Sequence, residues 1–162
     1  MASRSSGPLR AFRVADPRHP LLDGRGAYLK GARWNSPGKH IIYAAETYAG
    51  ALLETLVHLN FDEVPNGYAW IEIEFPGSAA LEEAAVEDVP EWNGDDLTHT
   101  RKFGDQWYEE KRTPILLVPS VVTAGIEHNV LINQEHPNFV AIRSSPAREL
   151  IWDQRLFGRK AE

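Results

Sequence analysis

The feature that most constrains the fold is a run of apolar residues, Ile115-Leu116-Leu117-Val118, followed at once by Pro119. Successive side chains of a strand point to opposite faces, so a run without a polar position is buried on both faces. Pro119 has no backbone N–H to give to a neighbouring strand and therefore ends the run. The sequence thus predicts a central strand of a sheet.

Other strand signals are short and scattered along the chain. Residues 68–75 alternate in polarity, with Ile71, Ile73 and Phe75 on one face. Three further segments have the composition of strands: residues 40–44, 139–142 and 149–152.

Helix signals are fewer than strand signals. Thr47 is a suitable N-cap for a helix over residues 47–60. The apolar positions of this segment recur with helical spacing and form one stripe, Leu52, Leu56 and Leu59, which Leu53 and Val57 widen. A weaker pattern predicts a helix over residues 96–110 that buries Phe103 and Trp107. Because helices do not alternate regularly with strands, the predicted fold class is α+β.

Composition limits the classes of function. The chain has 162 residues, a formal net charge of −6 and no cysteine. Its length predicts one domain, residues 1–162, with a loose tail over residues 1–10. The lack of cysteine excludes disulfide scaffolds, cysteine-ligated zinc and thiol nucleophiles. The acidic balance argues against direct nucleic-acid binding, and no secretory signal or membrane-spanning run is evident, so we expect a soluble, cytoplasmic protein.

Glu54 is the first residue whose surroundings suggest chemistry. On the predicted helix its neighbours one turn away are Gly50, Ala51 and His58. Because two of these are very small, the helix surface beside the carboxylate is expected to be hollow and open to a ligand. An ordinary exposed helix glutamate is the alternative.

A second candidate lies on a predicted turn. Pro37 followed by Gly38 suits a type II turn, which predicts a strand–turn–strand unit over residues 31–45. Arg33 would then lie on a rigid element, where its guanidinium can hold a phosphate through two hydrogen bonds. A salt-bridged surface arginine is the alternative. Arg33 and Tyr43 share a site only with a three-residue loop or bulge, or if the two segments do not pair.

Ser120 follows the predicted central strand, a position that suits a ligand contact and a cap equally well. The chain has no Gly-x-Ser-x-Gly motif and no histidine base beside Ser120, so we do not interpret it as an activated nucleophile. The six histidines form no His-x-x-x-His pair, and no metal site is predicted.

Taken together and in order, these segments resemble the RES-domain family of bacterial toxins, which is named for an Arg, a Glu and a Ser. The resemblance runs from Phe12 to Phe157. Gln134 departs from it, since many relatives have proline there. The motifs that support the resemblance are Arg13, Gly31-x-Arg33-Trp34-Asn35-x-x-Gly38, Ile42-Tyr43-Ala44-Ala45, Ala51-Leu52-Leu53-Glu54-x-Leu56-Val57-His58, Trp107, Val118-Pro119-Ser120, Asn129-x-x-x-Asn133-x-x-His136-Pro137 and Asp153-x-Arg155-Leu156.

The resemblance implies an ADP-ribosyltransferase-like fold, with small antiparallel or mixed sheets and flanking helices around an NAD⁺ cleft. It implies the toxin of a type II toxin–antitoxin system, which degrades NAD⁺ by cleaving the nicotinamide–ribose bond. NAD⁺ is then a substrate, with water or inorganic phosphate as the acceptor, and no prosthetic cofactor is expected. The implied partner is an Xre-like helix-turn-helix antitoxin, in a larger complex with a toxin homodimer.

The resemblance also assigns roles to residues. Glu54 would stabilise the ribose cation, Arg33 and Arg13 would hold the pyrophosphate, and Tyr43 would stack on the nicotinamide or close the pocket. Two other functions stay open: a mono-ADP-ribosyltransferase that modifies a protein, and a non-catalytic module that binds a nucleotide or an antitoxin tail. The predicted catalytic residues are Arg33, Tyr43, Glu54 and Ser120, and the predicted ligand-orienting residues are Arg13 and Asn133.

Overall fold

A mixed sheet forms the centre of the fold. The structure, a computed structural model, describes residues 9–59 and 65–158. The strands lie in the order β4-β5-β6-β2-β1-β3-β7, and β8 also pairs with β3. Of the described pairs only β4 with β5 is parallel, so the α+β class is confirmed. The strands are β1 (Arg10–Ala15), β2 (Ile41–Ala45), β3 (Ala69–Glu74), β4 (Leu81–Glu83), β5 (Ile115–Pro119), β6 (His128–Asn133), β7 (Arg143–Ser144) and β8 (Arg148–Glu149).

In the described ranges, three α-helices flank the sheet: α1 (Arg25–Lys30), α2 (Tyr48–Leu56) and α3 (Thr98–Glu110). Short 3-10 helices cover Val86–Asp88, Pro137–Ala141 and Gln154–Leu156. In the described part of the chain, no helix has the length and apolar character needed to cross a membrane.

β5 is buried along its whole length, as its apolar run predicts. Ile115 and Leu117 pack on one face of the sheet in a core cluster that extends across β2, β6, β1 and β3. Leu116 and Val118 pack on the opposite face with Trp107 of α3. The predicted helix over 96–110 is therefore confirmed, and Trp107 is its main buried side chain.

The sheet is nearly divided between β1 and β2. β1 pairs with β3 along six residues, from Arg10–Glu74 to Ala15–Ala69, and β2 pairs with β6 along five. Between β1 and β2 the ladder consists of one pair, Phe12 with Ala45. The fold is thus two half-sheets, β4-β5-β6-β2 and β1-β3-β7/β8, joined at a single position.

Several predicted elements differ from the structure. Residues 139–142 do not form a strand, because Pro137 and its cap His136 begin a 3-10 helix there. Of the predicted strand over 149–152 only Glu149 lies in a strand, the two-residue β8. Arg10 belongs to β1 rather than to a loose tail, and the rest of that tail, apart from Leu9, lies outside the described residues.

The strand–turn–strand unit over 31–45 does not form. Residues 31–36 make a tight loop in which Ala32 bridges to Asn35, and β2 pairs with β6 and β1 instead. Gly38 does adopt the positive φ expected after Pro37, at 97°. The prediction failed because α1 occupies the preceding residues and α3 binds the loop, and neither contact is visible in local sequence.

α3 holds the 31–36 loop through both packing and hydrogen bonds. A Cβ at Gly104 would lie 1.8 Å from the carbonyl oxygen of Trp34, so only glycine permits this approach. The Thr100 hydroxyl donates to the Arg33 carbonyl at 2.6 Å, and Arg101 Nε donates to the Ala32 carbonyl at 3.0 Å. The loop is therefore fixed on one side by the helix.

Candidate active site

A cleft opens where β1 and β2 separate beyond the Phe12–Ala45 pair. Its volume is about 500 Å³, and β1, β2, α1 and α2 each contribute part of its wall. The described residues that line it are Phe12, Arg13, Val14, Gly26, Ala27, Lys30, Gly31, Ala32, Tyr43, Ala44, Ala45, Ala51, Glu54, Thr55, His58, Leu59, Tyr68 and Asn129.

Glu54 presents an oriented carboxylate to this cleft. Its Oε1 accepts two hydrogen bonds, from Ser120 Oγ at 2.9 Å and from Asn129 Nδ2 at 2.8 Å. Within residues 9–59 and 65–158 no group donates to Oε2. Hydrogen bonds to a charged acceptor are worth about 1.5–3 kcal/mol each, so the two donors hold one carboxylate oxygen while the other stays available.

α2 sets the position of Glu54. The Thr47 hydroxyl accepts from the Gly50 N–H at 2.9 Å, which confirms the predicted N-cap. Leu56 is buried against the 150–157 segment, and this contact fixes the rotation of the helix. Ala51 and His58 line the cleft with Glu54, as their one-turn spacing predicts.

Two expectations about α2 are wrong. Gly50 does not open a hollow for a ligand, because a Cβ there would meet Thr47 Oγ1 at 3.0 Å and Glu127 Oε1 at 3.2 Å. Its small size instead lets the helix approach β2. Leu53 and Val57 do not widen the buried stripe, since they are 43% and 57% exposed. α2 ends at Leu56, and residue 60 of the predicted helix lies outside the described residues.

Arg13 joins the two half-sheets at the cleft. Its Nε donates to the Leu21 carbonyl at 2.7 Å, and its Nη1 donates to the Tyr43 carbonyl of β2 at 2.8 Å. Burial lowers the pKa of the Arg13 guanidinium, and the Asp23 carboxylate opposes that shift. An arginine stays protonated even so, and Arg13 supplies a fixed positive charge to the cleft.

Tyr43 connects β2 to the 31–36 loop. Its hydroxyl donates to Asn35 Oδ1 at 2.6 Å and accepts from the Trp34 N–H at 3.2 Å. Burial raises the pKa of the Tyr43 phenol, so the hydroxyl is neutral at physiological pH. Asn35 is fully buried and donates to the carbonyls of Ala27 and Ser36. The Tyr43 hydroxyl is thus engaged by the protein, and the residue also forms part of the cleft wall.

Arg33 and Asn133 are not among the residues that line the cleft. Arg33 Nη1 donates to the carbonyls of Trp92 and Gly94, at 3.2 and 2.7 Å, so its guanidinium binds a neighbouring turn. Asn133 is fully buried, and its Nδ2 donates to the Tyr108 carbonyl. Neither side chain is thus part of this cleft wall, and a ligand contact for either stays a prediction. Ser120 is also buried, and it reaches the cleft through Glu54.

Comparison with known proteins identifies the family. The sequence model described as RES domain matches residues 10–153. The chain belongs to the RES-domain family. A relative, the Prs ADP-ribosylating toxin of Sphingobium sp. (strain YBL2), is 40% identical over 144 residues, which are 86% of this chain and 88% of that protein. Toxin Res of Photorhabdus laumondii is 32% identical over 118 residues, 72% of this chain and 74% of that protein.

A solved structure supports the RES-domain fold. The M. tuberculosis MbcT–MbcA toxin–antitoxin complex contains a chain that superposes with a TM-score of 0.70 at 17% identity. The match covers 90% of this chain and 85% of that one. At this identity the likeness shows the fold.

The RES-domain cleft contains residues that the sequence did not assign to the site, Asn129 and Lys30 among them. Asn129 belongs to the motif Asn129-x-x-x-Asn133-x-x-His136-Pro137, but only its strand pairing and the shared bonds to Glu54 bring it together with Ser120. For Lys30 of α1, no pattern in the neighbouring sequence indicates a place in the cleft. Gln134, the departure from the family pattern, accepts the Gly24 N–H at 2.7 Å and thus has a structural contact.

The charges on the cleft wall differ from those of the chain as a whole. The described lining residues include two cations, Arg13 and Lys30, and one carboxylate, Glu54, whereas the chain has a formal net charge of −6. In the described ranges no group of three or more His, Asp or Glu side chains is arranged to hold a metal ion. The cleft wall therefore carries more positive than negative charge and favours an anionic ligand.

Proposed function

We propose that the chain is the toxin of a type II toxin–antitoxin pair and degrades NAD⁺ by cleaving the nicotinamide–ribose bond. Two relatives named as toxins support this proposal, one of them named for ADP-ribosylation, a reaction that takes ADP-ribose from NAD⁺. The observation that carries the proposal is the Glu54 carboxylate, which lines the cleft and accepts hydrogen bonds from Ser120 and Asn129 on one oxygen, with no described donor to the other.

The bond that breaks joins the ribose anomeric carbon to the nicotinamide ring nitrogen. Its electron pair leaves with nicotinamide, which departs as a neutral molecule and needs no proton from a general acid. Positive charge then grows at the anomeric carbon. Glu54 Oε2 accepts a hydrogen bond from a ribose hydroxyl and lies near that charge, so it stabilises the transition state more than the ground state.

The other cleft residues bind and orient the dinucleotide. Arg13 supplies positive charge toward the pyrophosphate, and the Tyr43 ring packs against the nicotinamide end. Ser120 acts on the substrate through Glu54, because its hydroxyl donates to that carboxylate. Arg33 has a structural part in this mechanism, since its guanidinium binds the turn at Trp92 and Gly94.

The acceptor decides the product. Water attacks the anomeric carbon, loses a proton to solvent and gives ADP-ribose. Inorganic phosphate gives ADP-ribose 1″-phosphate by the same displacement. We propose one of these as the main reaction, in the cytoplasm, with an Xre-like antitoxin as partner and a toxin homodimer within the complex. The MbcT–MbcA structure, in which a toxin of this fold is bound to an antitoxin, supports a partner of that kind.

A second function is transfer of ADP-ribose to a protein side chain. The relative at 40% identity is named an ADP-ribosylating toxin, which favours this alternative directly. Labelled NAD⁺ incubated with the chain in cell extract separates the two functions. Label in a protein band indicates transfer, and free ADP-ribose or its phosphate indicates breakdown.

The Glu54→Gln variant tests the proposal. Loss of one preorganised electrostatic group should lower the rate of nicotinamide release by on the order of 10²–10³, or about 2.7–4 kcal/mol. The matched control is Glu87→Gln, because Glu87 is exposed on a 3-10 helix and does not line the cleft. Nicotinamide release, measured with and without phosphate, should be unchanged in the control. Equal turnover of Glu54→Gln and the parent removes Glu54 from the mechanism.

A further inference from the structure

The cleft contains a lysine that the mechanism above does not use. Lys30 is exposed at the end of α1 and lines the same cleft as Glu54 of α2. Over residues 9–59 and 65–158 its ammonium has no ion pair or hydrogen bond. Lys39, by contrast, is paired with Asp105 and Glu109.

The arginines expected to bind phosphate are committed elsewhere. Arg33 donates to two carbonyls outside the cleft, and two nitrogens of Arg13 donate to the carbonyls of Leu21 and Tyr43. These bonds are internal and fix the two guanidinium groups in place. Lys30 is thus the described cation of the cleft wall that is free to turn toward a ligand.

We propose that Lys30 is the residue that anchors the diphosphate of the dinucleotide. This inference rests on the proposed function and deepens it, because it names the part of the substrate that α1 recognises. A lysine ammonium binds phosphate as a compact point charge with three donors on a flexible stem. With the scissile ribose at Glu54 on α2, the diphosphate lies toward α1. The two helices thus bind different parts of one ligand, α2 the ribose and α1 the diphosphate.

The contact between Lys30 and the diphosphate, called the anchor below, affects binding of the dinucleotide rather than cleavage of its nicotinamide–ribose bond. The diphosphate carries the same charge in the substrate and in the transition state, so its contact with Lys30 contributes equally to both. Loss of such uniform binding raises KM and leaves kcat unchanged. A group that acted on the reacting ribose would lower kcat instead.

The test compares substrates with and without phosphate. Lys30→Ala and Lys30→Met should raise KM for NAD⁺ by about tenfold or more, with kcat within about twofold of the parent. Nicotinamide riboside has the same scissile bond and no phosphate, so both variants should cleave it as the parent does. Lys102→Ala is the matched control, because Lys102 is exposed on α3 outside the cleft lining. An unchanged KM for NAD⁺, or an equal loss with both substrates, overturns the anchor.

A binding measurement separates this inference from the proposed reaction. Calorimetry with ADP-ribose and with adenosine needs no turnover and uses the same purified chain. Lys30→Ala should weaken ADP-ribose binding by about tenfold and leave adenosine binding unchanged. The affinity of the parent for ADP-ribose should also fall more steeply with salt than that of the variant. Equal ADP-ribose affinities, or a parent that does not bind ADP-ribose, overturn the anchor. A parent that binds ADP-ribose through Lys30 and releases no nicotinamide contradicts the reaction alone.

Discussion

Two polar clusters with similar residue types differ in whether a hydrogen-bonding group stays available to a ligand. In the loop cluster, formed by Arg33, Asn35 and Tyr43, each side chain is hydrogen-bonded to other groups of the protein. In the carboxylate cluster, formed by Glu54, Ser120 and Asn129, two donors meet one carboxylate oxygen, and no described group donates to the other. A closed network of this kind stabilises a fold, whereas an open one leaves an oriented group for a ligand.

The comparison predicts that damage to the loop cluster lowers stability and that damage to the carboxylate cluster lowers activity. The largest effect is expected for Gly104→Ala, because its Cβ would meet the Trp34 carbonyl at 1.8 Å and displace the loop. We expect a loss of about 3 kcal/mol in the free energy of unfolding, the upper part of the range for overpacking. Urea unfolding measures it. Gly77→Ala is the control, since a Cβ there meets nothing within 4 Å. A Gly104→Ala variant as stable as the control would show that the loop is not held by α3.

An effect of intermediate size is expected for Asn129→Ala. The variant removes one of two donors to Glu54 and should lower kcat for nicotinamide release about tenfold. Asn138→Ala is the matched control, because Asn138 is exposed on the 3-10 helix Pro137–Ala141. If kcat stays at the parent value, Ser120 alone orients the Glu54 carboxylate and Asn129 has no part in the carboxylate cluster.

The smallest effect is expected for Leu53→Ser. Leu53 is the immediate neighbour of Glu54 but is 43% exposed on the outer side of α2. Exposed substitutions of this kind usually change stability by less than about 0.5 kcal/mol, and kcat should also be unchanged. Parallel unfolding and nicotinamide-release assays on the purified chain check both values. A large fall in kcat would extend the carboxylate cluster beyond the side of α2 that faces the cleft.

Local sequence predicted the elements whose signals are periodic. β3 and β5 show their burial in the pattern of apolar residues, and Thr47 identifies the start of α2. β1 was not predicted, because its two arginines interrupt the apolar pattern and the burial of Arg13 depends on carbonyls of Leu21 and Tyr43. Strand pairing and helix contacts of this kind are tertiary, so they cannot be predicted from the local patterns of a single sequence.

The candidate site was predicted in part. The family resemblance pointed to Glu54, Tyr43 and Arg13, which line the cleft, and to Ser120, which contacts Glu54. The pyrophosphate contact expected for Arg33 stays a prediction, since Arg33 does not line this cleft and its Nη1 donates to two carbonyls of a nearby turn. Residue type alone cannot distinguish an arginine that binds a ligand from one that binds the backbone.

The lone Phe12–Ala45 pair leaves few backbone hydrogen bonds between the two half-sheets. Elsewhere β1 and β2 each belong to a full ladder, so widening of the cleft breaks few backbone hydrogen bonds and is opposed mainly by the side-chain core that spans both half-sheets. The bond from Arg13 to the Tyr43 carbonyl also connects β1 to β2 and limits how far the two strands can separate. Under the proposed function, the dinucleotide enters and its fragments leave at this gap.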